Sequence, residues 1–361
     1  MPQNEANGSN DNIPNEQPAR GRSRTTSLLE VAEALEHDIY YGSPPVEYQV
    51  ASPPWGSLAF RPGEIIALAA PPAMGKTAFI MQTLVDALRL NQELKCLIAN
   101  VEMNPQRLYE RQLARLSGIP LGDITRRQNL LGQRHVMDLA INTICSVGDR
   151  MHFMSEPFHI NSIEDAMVQD VQPDVLVIDY LQRIGCCEGV ADARSRLNSL
   201  MLKFRTFANA GVCVVLVSAV GRPGSKKGGG YNPRELGLAS LRESSEIEYG
   251  CDDVFVMVPE EHDGTRDGDG YRNVLLKHEK SRNNLQQDLR FEFNGAIQSF
   301  TLLPPLSDHD DDGFDDPGDS RPNRNGPNPG QAAVWTPPVE EPRRLMAPGD
   351  TFAARLIDGD A

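Results

Sequence analysis

A strand, a turn and a helix follow one another directly near the start of the chain. The strand is predicted over residues 64–69, which are apolar after Glu64, and the helix is predicted over residues 77–90. The turn between them reads Ala70-Pro71-Pro72-Ala73-Met74-Gly75-Lys76-Thr77. Such a turn wraps phosphate groups with its backbone N–H groups, and the dipole of the following helix favours the negative charge. The segment therefore predicts a phosphate-binding site at the edge of a sheet.

Nucleotide binding is assigned to the residues around the glycine of this turn. They are Ala73, Met74, Gly75, Lys76, Thr77 and Ala78. Lys76 is expected to meet the outer phosphates of ATP, and Thr77 is expected to bind Mg²⁺. The first glycine of the usual pattern is replaced by Ala70, so the motif is incomplete. A chance occurrence in a surface loop is the alternative, but the flanking strand and helix favour nucleotide binding.

Similar strand-like and helix-like segments alternate along the rest of the chain. Further apolar strands are predicted at 94–99, 175–179, 212–218 and 254–258, and helices at 105–117, 161–170 and 192–210. Two runs of alternating polarity, 273–278 and 289–293, are expected to add strands at the end of the sheet. Continuous apolar strands interleaved with helices indicate an α/β fold with a mostly parallel sheet that is covered on both faces.

Two carboxylates follow strands of this predicted sheet. Asp179 ends the strand at 175–179, from which it can reach the water shell of a bound Mg²⁺. Glu102 follows the strand at 94–99 and is placed to orient and polarise an attacking water. The alternative roles are helix capping by Asp179, and an N-cap contact of Glu102 to the helix that begins near Pro105. The phosphate loop favours the metal and catalytic roles.

Charge and composition exclude several classes of protein. The chain has 35 Lys and Arg against 50 Asp and Glu, a net charge of −15, which excludes a histone-like protein that binds nucleic acid by bulk charge. The longest apolar run, 212–217, is too short to span a bilayer, and the N-terminus has no apolar signal segment. We therefore expect a soluble, cytoplasmic protein. Six cysteines without a CxxC pair predict no metal cluster.

The two ends of the chain differ from its middle. Residues 1–25 lack periodic apolar residues and residues 304–361 are rich in proline and acid, so both are predicted to be disordered. Residues 26–54 are predicted to form a short helix followed by a proline-rich connector, because Ser27 begins a capping box and an apolar stripe at helical spacing follows it. This helix packs either on its own domain or on a neighbouring subunit. Residues 55–303 are predicted to form one large domain.

Five segments, in this order, resemble the motor domain of DnaB-type replicative helicases. They read AAPPAMGKTAF, VEM, VLVIDYLQ, SLRES with IE shortly after it, and KSRN. The likeness covers roughly residues 27–303, and the family commonly has alanine at position 70. The resemblance implies a RecA-like P-loop ATPase whose mostly parallel central sheet is flanked by helices and preceded by a short linker helix. We expect a stand-alone form of this motor domain, without the N-terminal domain that contacts primase.

The resemblance also implies an ATP-dependent DNA helicase that works as a homo-oligomeric ring, expected to be a hexamer, with ATP between subunits. Lys280 and Arg282 match the basic pair that reaches into the neighbour's site, where an arginine neutralises charge on the transferring phosphoryl group. Together with Lys76 and Glu102 they form the predicted catalytic set. The alternative is that Lys280 and Arg282 are only solvent-exposed residues at the end of a strand.

Single-stranded DNA is the implied partner, together with other replication proteins. Arg222, Lys226 and Lys227 lie in a glycine-rich basic loop, and Arg242 and Glu243 lie in a turn whose family counterparts approach the DNA backbone. Exposed N–H groups and basic side chains bind phosphates without reading bases. These five residues are the predicted DNA-binding set, although a loop rich in lysine and glycine is also typical of a simple linker.

One departure from the family concerns the strand at 212–218. The family usually has Ser-Gln at its end, where the glutamine senses the terminal phosphate, whereas this chain has Ser218-Ala219. An alanine side chain cannot hydrogen-bond a phosphate. The alternative function is therefore a RecA-like, ATP-dependent scaffold or regulatory ATPase without unwinding activity. A recombinase that forms open filaments is less favoured, because the SLRES and KSRN segments resemble ring helicases.

Overall fold

The computed structural model describes residues 25–186, 193–220, 245–260 and 270–305. The chain divides into two units, and the first 45 residues belong to the smaller one. Its described part forms α1 (Leu28–Tyr41), as predicted. Ser27 caps this helix: its hydroxyl accepts from the Glu30 amide at 3.2 Å, and the Glu30 carboxylate accepts from the Ser27 amide at 2.6 Å. A reciprocal pair of bonds thus starts the helix.

The larger unit carries the main sheet, which has nine strands within the described residues. Two short strands, β1 (Tyr48–Gln49) and β2 (Ala59–Phe60), pair with each other ahead of it. The main sheet contains β3 (Ile65–Ala70), β4 (Cys96–Asn100), β5 (Met151–Phe153), β6 (Val175–Asp179), β7 (Cys213–Ala219), β8 (Asp253–Pro259), β9 (Tyr271–Ser281), β10 (Leu289–Asn294) and β11 (Ser299–Leu303). The strand order is β11-β10-β9-β8-β3-β7-β6-β4-β5. Strands β3 to β8 are parallel, and β9, β10 and β11 are antiparallel additions at one side.

The predicted mostly parallel sheet is therefore confirmed. The five predicted apolar strands are β3, β4, β6, β7 and β8, and the two alternating runs are β9 and β10 at the end of the sheet. Strand β5 was not predicted because its three residues, MHF, carry no apolar run. The other unpredicted strand of the main sheet is β11, whose residues 299–303 lie at the sheet edge and follow β10 after a short turn.

The described helices of the larger unit are α2 (Lys76–Leu90), α3 (Pro105–Ser117), α4 (Leu121–Arg126), α5 (Arg134–Cys145), α6 (Ile160–Ala166), α7 (Ala193–Asn209) and α8 (Ser245–Gly250). A π-helical turn, Met167–Val171, continues α6, so the predicted helix at 161–170 is confirmed with an irregular end. Helices α4, α5 and α8 were not predicted. The pattern of α5 is weak because the helix buries only Ala140 and Ile144. None of the described helices has the length and apolar character that crossing a bilayer requires.

Each face of the sheet is covered by its own apolar core. Alternate residues of β3 point to opposite faces, so that Ile66 and Leu68 belong to one core and Ile65 to the other. The first core lies between β3, α2 and the antiparallel strands, and the second lies under α6 and α7. Burial on both faces explains why β3 is apolar at every position. A third, smaller cluster joins α3, α4 and α5.

The edge strand β11 is attached to α2 by one buried side chain. The Gln82 amide nitrogen donates to the Phe300 carbonyl at 2.8 Å, and the Phe300 amide donates to the Gln82 side-chain oxygen at 2.9 Å. A side-chain amide thus makes the two bonds that another strand would make. This attachment holds β11 along α2, and the Phe300 ring lies behind Gly75 of the phosphate loop.

The predicted domain boundaries stay predictions. Tyr48 and Val50, which lie in the predicted connector at 26–54, are buried in the first core of the larger unit. The two ends predicted to be disordered, 1–25 and 304–361, lie almost entirely outside the described residues.

We expect Phe291→Ala to lower the free energy of unfolding by about 3–5 kcal/mol, since the ring is fully buried and its loss leaves a cavity. The ring lies 4.9 Å from Trp55, 5.4 Å from Phe79 and 6.2 Å from Phe300, measured between centroids. Urea denaturation followed by circular dichroism measures the change. Leu285→Ala is the control, because Leu285 is 88% exposed. Equal midpoints for the two variants would contradict this account of the core.

Candidate functional site

The phosphate loop joins β3 to α2 at the carboxyl edge of the parallel strands. Ala73 and Gly75 both have positive φ, 64° and 88°. A Cβ atom at Gly75 would lie 2.9 Å from the Phe300 ring and 3.2 Å from the Phe293 ring. The backbone conformation and the rings behind it therefore both require glycine at this position. The loop closes directly onto the first turn of α2, whose N–H groups have no partner within the helix and so attract anions.

Lys76 is the first residue of α2, and its side chain folds back over the loop. Its Nζ donates to the carbonyl oxygens of Ala70 at 3.1 Å and Pro71 at 3.3 Å. Burial lowers the pKa of Lys76, while the negative charges of Asp179 and Glu102 oppose that shift. The ammonium group is thus held by neutral carbonyls beside two carboxylates, and an arriving anion can pair with it.

Asp179 ends β6 and connects three elements of the fold. One of its carboxylate oxygens, Oδ2, accepts from the Thr77 hydroxyl and from the Asn100 side-chain amide, each at 2.7 Å. Asn100 and Asp179 are register partners on the neighbouring strands β4 and β6. Burial raises the pKa of Asp179, because only 3% of the residue is exposed; Glu102 adds to the shift, and the bonds from Thr77 and Asn100 oppose it.

Asn100 also fixes the loop that carries Glu102. Its side-chain oxygen accepts from the backbone amides of Glu102 at 3.0 Å and Met103 at 2.7 Å, while its nitrogen binds Asp179. The Glu102 side chain itself is exposed to the cleft. Sequence reasoning missed Asn100, although a polar residue at the end of a buried strand is the same kind of signal that identified Asp179.

These residues surround a cleft of about 560 Å³. The residues that line it are Ala73, Gly75, Lys76, Thr77, Val101, Glu102, Met103, Arg111 and Arg183. The structure thus brings the predicted Lys76, Thr77 and Glu102 to one site, with Asp179 bonded to Thr77. Met74 and Ala78, which were also predicted to bind nucleotide, have buried side chains in the core behind the loop.

Two arginines of the cleft were missed by sequence reasoning. Arg111 lies on α3, and Arg183 lies in the turn after β6. Burial lowers the pKa of Arg111, while the negative charges of Asp179 and Glu102 oppose that shift. An arginine on a helix is usually exposed to solvent, so the sequence did not identify Arg111. Only the sheet topology shows that α3 begins at the same edge of the sheet as the phosphate loop.

Lys280 and Arg282 lie at the opposite edge of the sheet from this cleft. Lys280 is the register partner of Val254 at the start of β8, and β8 runs parallel to β3. The cleft follows the end of β3, so the two basic residues lie beside the other end of the parallel strands. Within one chain the structure does not bring them to Lys76.

Backbone and carboxylate oxygens hold both of these cations. Lys280 Nζ donates to the carbonyls of Glu248 at 2.6 Å and Cys251 at 2.8 Å. Arg282 donates to the Asp252 carboxylate at 2.9 Å and to the Tyr249 carbonyl at 2.6 Å, with its side chain 47% exposed. Burial and the neighbouring Arg282 lower the pKa of Lys280. The Arg282 guanidinium is therefore both fixed and accessible.

The predicted DNA-binding residues lie outside the described part of the chain. They are Arg222, Lys226, Lys227, Arg242 and Glu243. The segment that contains them follows β7, whose last residue, Ala219, is exposed and pairs in register with Ala70 at the start of the phosphate loop.

Comparison with known proteins identifies the family. Residues 57–302 match the model of the DnaB-like helicase C terminal domain. A probable plasmid replicative DNA helicase of Chlamydia psittaci is 25% identical over 256 residues, covering 68% of this chain and 53% of that protein. The replicative DNA helicase DnaB of Haemophilus influenzae is 24% identical over 266 residues, covering 70% and 54%. The chain thus spans about half the length of these curated relatives.

Solved structures share the fold. A solved ATPase domain superposes with a TM-score of 0.63 at 18% identity, covering 78% of this chain and all of that domain. A DnaB-like replicative helicase, solved in a study of its interactions with primase, superposes with a TM-score of 0.64 at 17% identity, covering 77% and 69%. The predicted RecA-like fold is confirmed. Because the family model extends over most of the chain, this protein belongs to the DnaB-like helicase C-terminal domain family.

Proposed function

We propose that this chain is the ATP-hydrolysing motor of a DNA helicase that moves on single-stranded DNA during replication in the cytoplasm. The observation that carries the proposal is the convergence of Lys76, Thr77, Glu102 and Asp179 on one cleft at the carboxyl edge of the sheet. Membership of the DnaB-like family and the replicative helicases among its relatives support the DNA substrate.

ATP is the proposed nucleotide, with its phosphates on the loop at 70–77. The loop N–H groups and Lys76 bind the phosphates. Thr77 and Asp179 fit Mg²⁺, because their hydroxyl and carboxylate oxygens lie 2.7 Å apart beside the cleft, and Mg²⁺ in nucleotide sites takes one or two protein oxygens together with phosphates and waters. When bound, Mg²⁺ neutralises charge on the phosphates. Thr77 and Asp179 hold the metal side of the site, and Lys76 the phosphate side.

Glu102 is the proposed general base for the attacking water. Its backbone is fixed through Asn100, and its carboxylate is exposed to the cleft. A carboxylate in this position accepts a proton from water and orients it toward the terminal phosphate. Arg111 lines the same cleft as Glu102, and the charges of Glu102 and Asp179 act on it, so it balances part of their charge while no nucleotide is bound and pairs with a phosphate oxygen when one is.

Lys280 and Arg282 complete the site from a second copy of the chain. They lie at the edge opposite the cleft, so a head-to-tail contact places one copy's basic pair at its neighbour's phosphates. Such a contact is heterologous, and its repetition closes a ring when the rotation between copies allows it. A hexamer is the proposed ring. Hydrolysis then depends on assembly, because the charge that develops on the transferring phosphoryl group is fully neutralised only when the neighbour adds its basic pair.

Single-stranded DNA is proposed to pass through this ring. Arg222, Lys226 and Lys227, with the turn at Arg242 and Glu243, are the proposed contacts to its phosphates. The segment that carries them begins directly after β7, beside the phosphate loop in the strand order. Other replication proteins are proposed partners; one structural relative was solved in a study of its interactions with primase.

One observation favours a second candidate function. Ala219 stands at the end of β7, next to the phosphate loop, where it provides no hydrogen bond to a phosphate. A chain with this substitution is also compatible with an ATP-dependent scaffold or regulatory ATPase that assembles on ATP without unwinding DNA.

We expect DNA-stimulated ATPase activity that falls by a factor of about 10²–10⁴ in Glu102→Gln, because the amide cannot accept a proton. Lys76→Ala is expected to abolish nucleotide binding as well as hydrolysis. Phosphate release with and without single-stranded DNA measures the activity. Glu93→Gln is the matched control, since Glu93 is exposed in the turn before β4. ATPase activity that does not respond to single-stranded DNA would remove the helicase proposal.

We expect that mixing Glu102→Gln chains with Arg282→Ala chains restores activity that neither variant has alone. In a ring mixed at random from equal amounts, about a quarter of the interfaces combine an intact Glu102 with an intact Arg282 from the neighbour. ATPase activity of the mixture, measured after co-refolding or subunit exchange, tests this arrangement. A mixture no more active than the sum of its parts would place Arg282 outside the neighbour's site.

The two candidate functions differ in a strand-displacement assay. The motor is expected to release a labelled strand from a forked duplex in the presence of ATP and Mg²⁺, whereas Lys76→Ala does not. Fluorescence of the released strand measures unwinding. ATP-dependent assembly without strand release would favour the scaffold.

A further inference from the structure

Arg183 is a cation of the cleft that the proposed reaction has not yet used. It ends the short 3₁₀ turn Leu181–Arg183, directly after β6, and lines the same cleft as Lys76 and Glu102. Its side chain is solvent-exposed, so it carries a full charge into the cleft. No pattern in the sequence singled it out.

The ring of Tyr180 orients this guanidinium. Arg183 Nε donates to the Tyr180 hydroxyl at 2.9 Å, and the guanidinium carbon lies 5.8 Å from the centre of the tyrosine ring. No ion pair is formed by the Arg183 side chain with any carboxylate in the described parts of the chain. Within the described residues only Nε of this guanidinium donates a hydrogen bond, so the two terminal nitrogens remain available in a side chain that lines the cleft. An arginine that is held at Nε and has no carboxylate partner presents a planar pair of N–H donors, and this geometry matches a phosphate group.

The backbone beneath Arg183 is held firmly. The Arg183 amide donates to the Tyr180 carbonyl at 3.1 Å, and the flanking Leu181 and Ile184 side chains are buried. The Gln182 side-chain nitrogen donates to the Ser218 hydroxyl at 2.8 Å, so the turn is also tied to the end of β7. Arg183 therefore projects from a fixed support instead of a loose loop.

The neighbouring strand end lacks a side chain that could bind a phosphate. Strand β7 lies between β3 and β6, with Ala219 opposite Ala70 and Val217 opposite Asp179. The end of β7 thus lies between the phosphate loop and the Asp179 carboxylate. Ala219 presents only a methyl group, and the Ser218 hydroxyl is occupied by Gln182. Arg183 lies on the turn that Gln182 attaches to Ser218, and its side chain lines the same cleft.

We propose that Arg183 binds the terminal phosphate of the nucleotide within its own chain, with Tyr180 as its positioning residue, and so supplies the donor that Ala219 lacks. The inference rests on the proposed nucleotide site. Two N–H groups of one guanidinium bind two oxygens of one phosphate. The contact exists with a triphosphate and is lost with a diphosphate, so Arg183 lets this chain distinguish ATP from ADP.

The test compares binding of ADP and of the non-hydrolysable analogue AMP-PNP to the full chain with Mg²⁺ by calorimetry. Arg183→Gln is expected to weaken AMP-PNP binding about 10- to 100-fold, the range for a lost charged hydrogen bond, and to change ADP affinity less than about twofold. Arg134→Gln is the matched control, because Arg134 is 80% exposed on α5 and expected to alter neither affinity. Arg183→Lys keeps the charge but loses the planar pair of donors, so it is expected to keep only part of the preference for AMP-PNP over ADP, and it covers the case in which Arg183→Gln fails to fold.

Two further variants separate phosphate binding from a structural role. Tyr180→Phe removes only the hydroxyl that orients Nε, so the preference for AMP-PNP over ADP is expected to fall several-fold at unchanged melting temperature. Ala219→Gln, added to Arg183→Gln, is expected to restore part of that preference because it returns an amide to the end of β7. An unchanged preference in Arg183→Gln and Arg183→Lys overturns the inference.

The outcome also distinguishes this inference from the proposed function. Should Lys76→Ala bind both nucleotides like the unmodified chain, the nucleotide site itself is misplaced and both proposals fail. Should Lys76→Ala lose binding while the Arg183 variants keep the full preference for AMP-PNP, only the assignment of Arg183 fails.

Discussion

The buried carboxylate of Asp179 is the junction on which the site depends. One oxygen accepts hydrogen bonds from Thr77 at the start of α2 and from Asn100 at the end of β4. A carboxylate this deeply buried is stable only when it is bonded or paired, because desolvation strongly disfavours its charge. The same two bonds therefore keep the group ionisable and hold the phosphate loop, β4 and β6 at fixed separations. Asn100 extends the junction to the backbone of Glu102.

The fold separates the two halves of the proposed reaction. The proposed phosphate binding and water activation take place at the carboxyl edge of the parallel strands, where Lys76 and Glu102 line one cleft. The basic pair, Lys280 and Arg282, belongs to the other edge, where β9 runs antiparallel back along β8. Asp252 holds Arg282 there and also pairs with Arg205 and accepts from the Ile65 amide. The same carboxylate that anchors the start of β3 thus also holds the cation that we propose to act on a second subunit.

Local sequence patterns predicted much of this arrangement. The strand, loop and helix around Lys76 are specified by contiguous residues, and Asp179 follows a strand whose apolar run is unmistakable. Asn100 was not predicted as a site residue, because its role depends on β4 lying beside β6, and no local sequence pattern encodes that pairing. Arg111 and Arg183 were not predicted to line the cleft, because a lone arginine on a helix or turn is usually exposed to solvent. Strands as short as β5 and helices as weakly patterned as α5 carry too few buried residues to be predicted.

From the sequence alone follow the α/β alternation, the phosphate loop, the acidic strand ends at Glu102 and Asp179, and the family resemblance that the comparisons confirm. Each of these is encoded by residues within a few positions of one another, where backbone periodicity and side-chain chemistry suffice. The tertiary structure decided which strand ends meet: it placed Asn100 against Asp179, Arg183 in the cleft, and Arg282 at the far edge. The physical reason is that strand order and crossover direction, set by packing of the whole sheet, bring together residues more than 70 positions apart, such as Asn100 and Asp179.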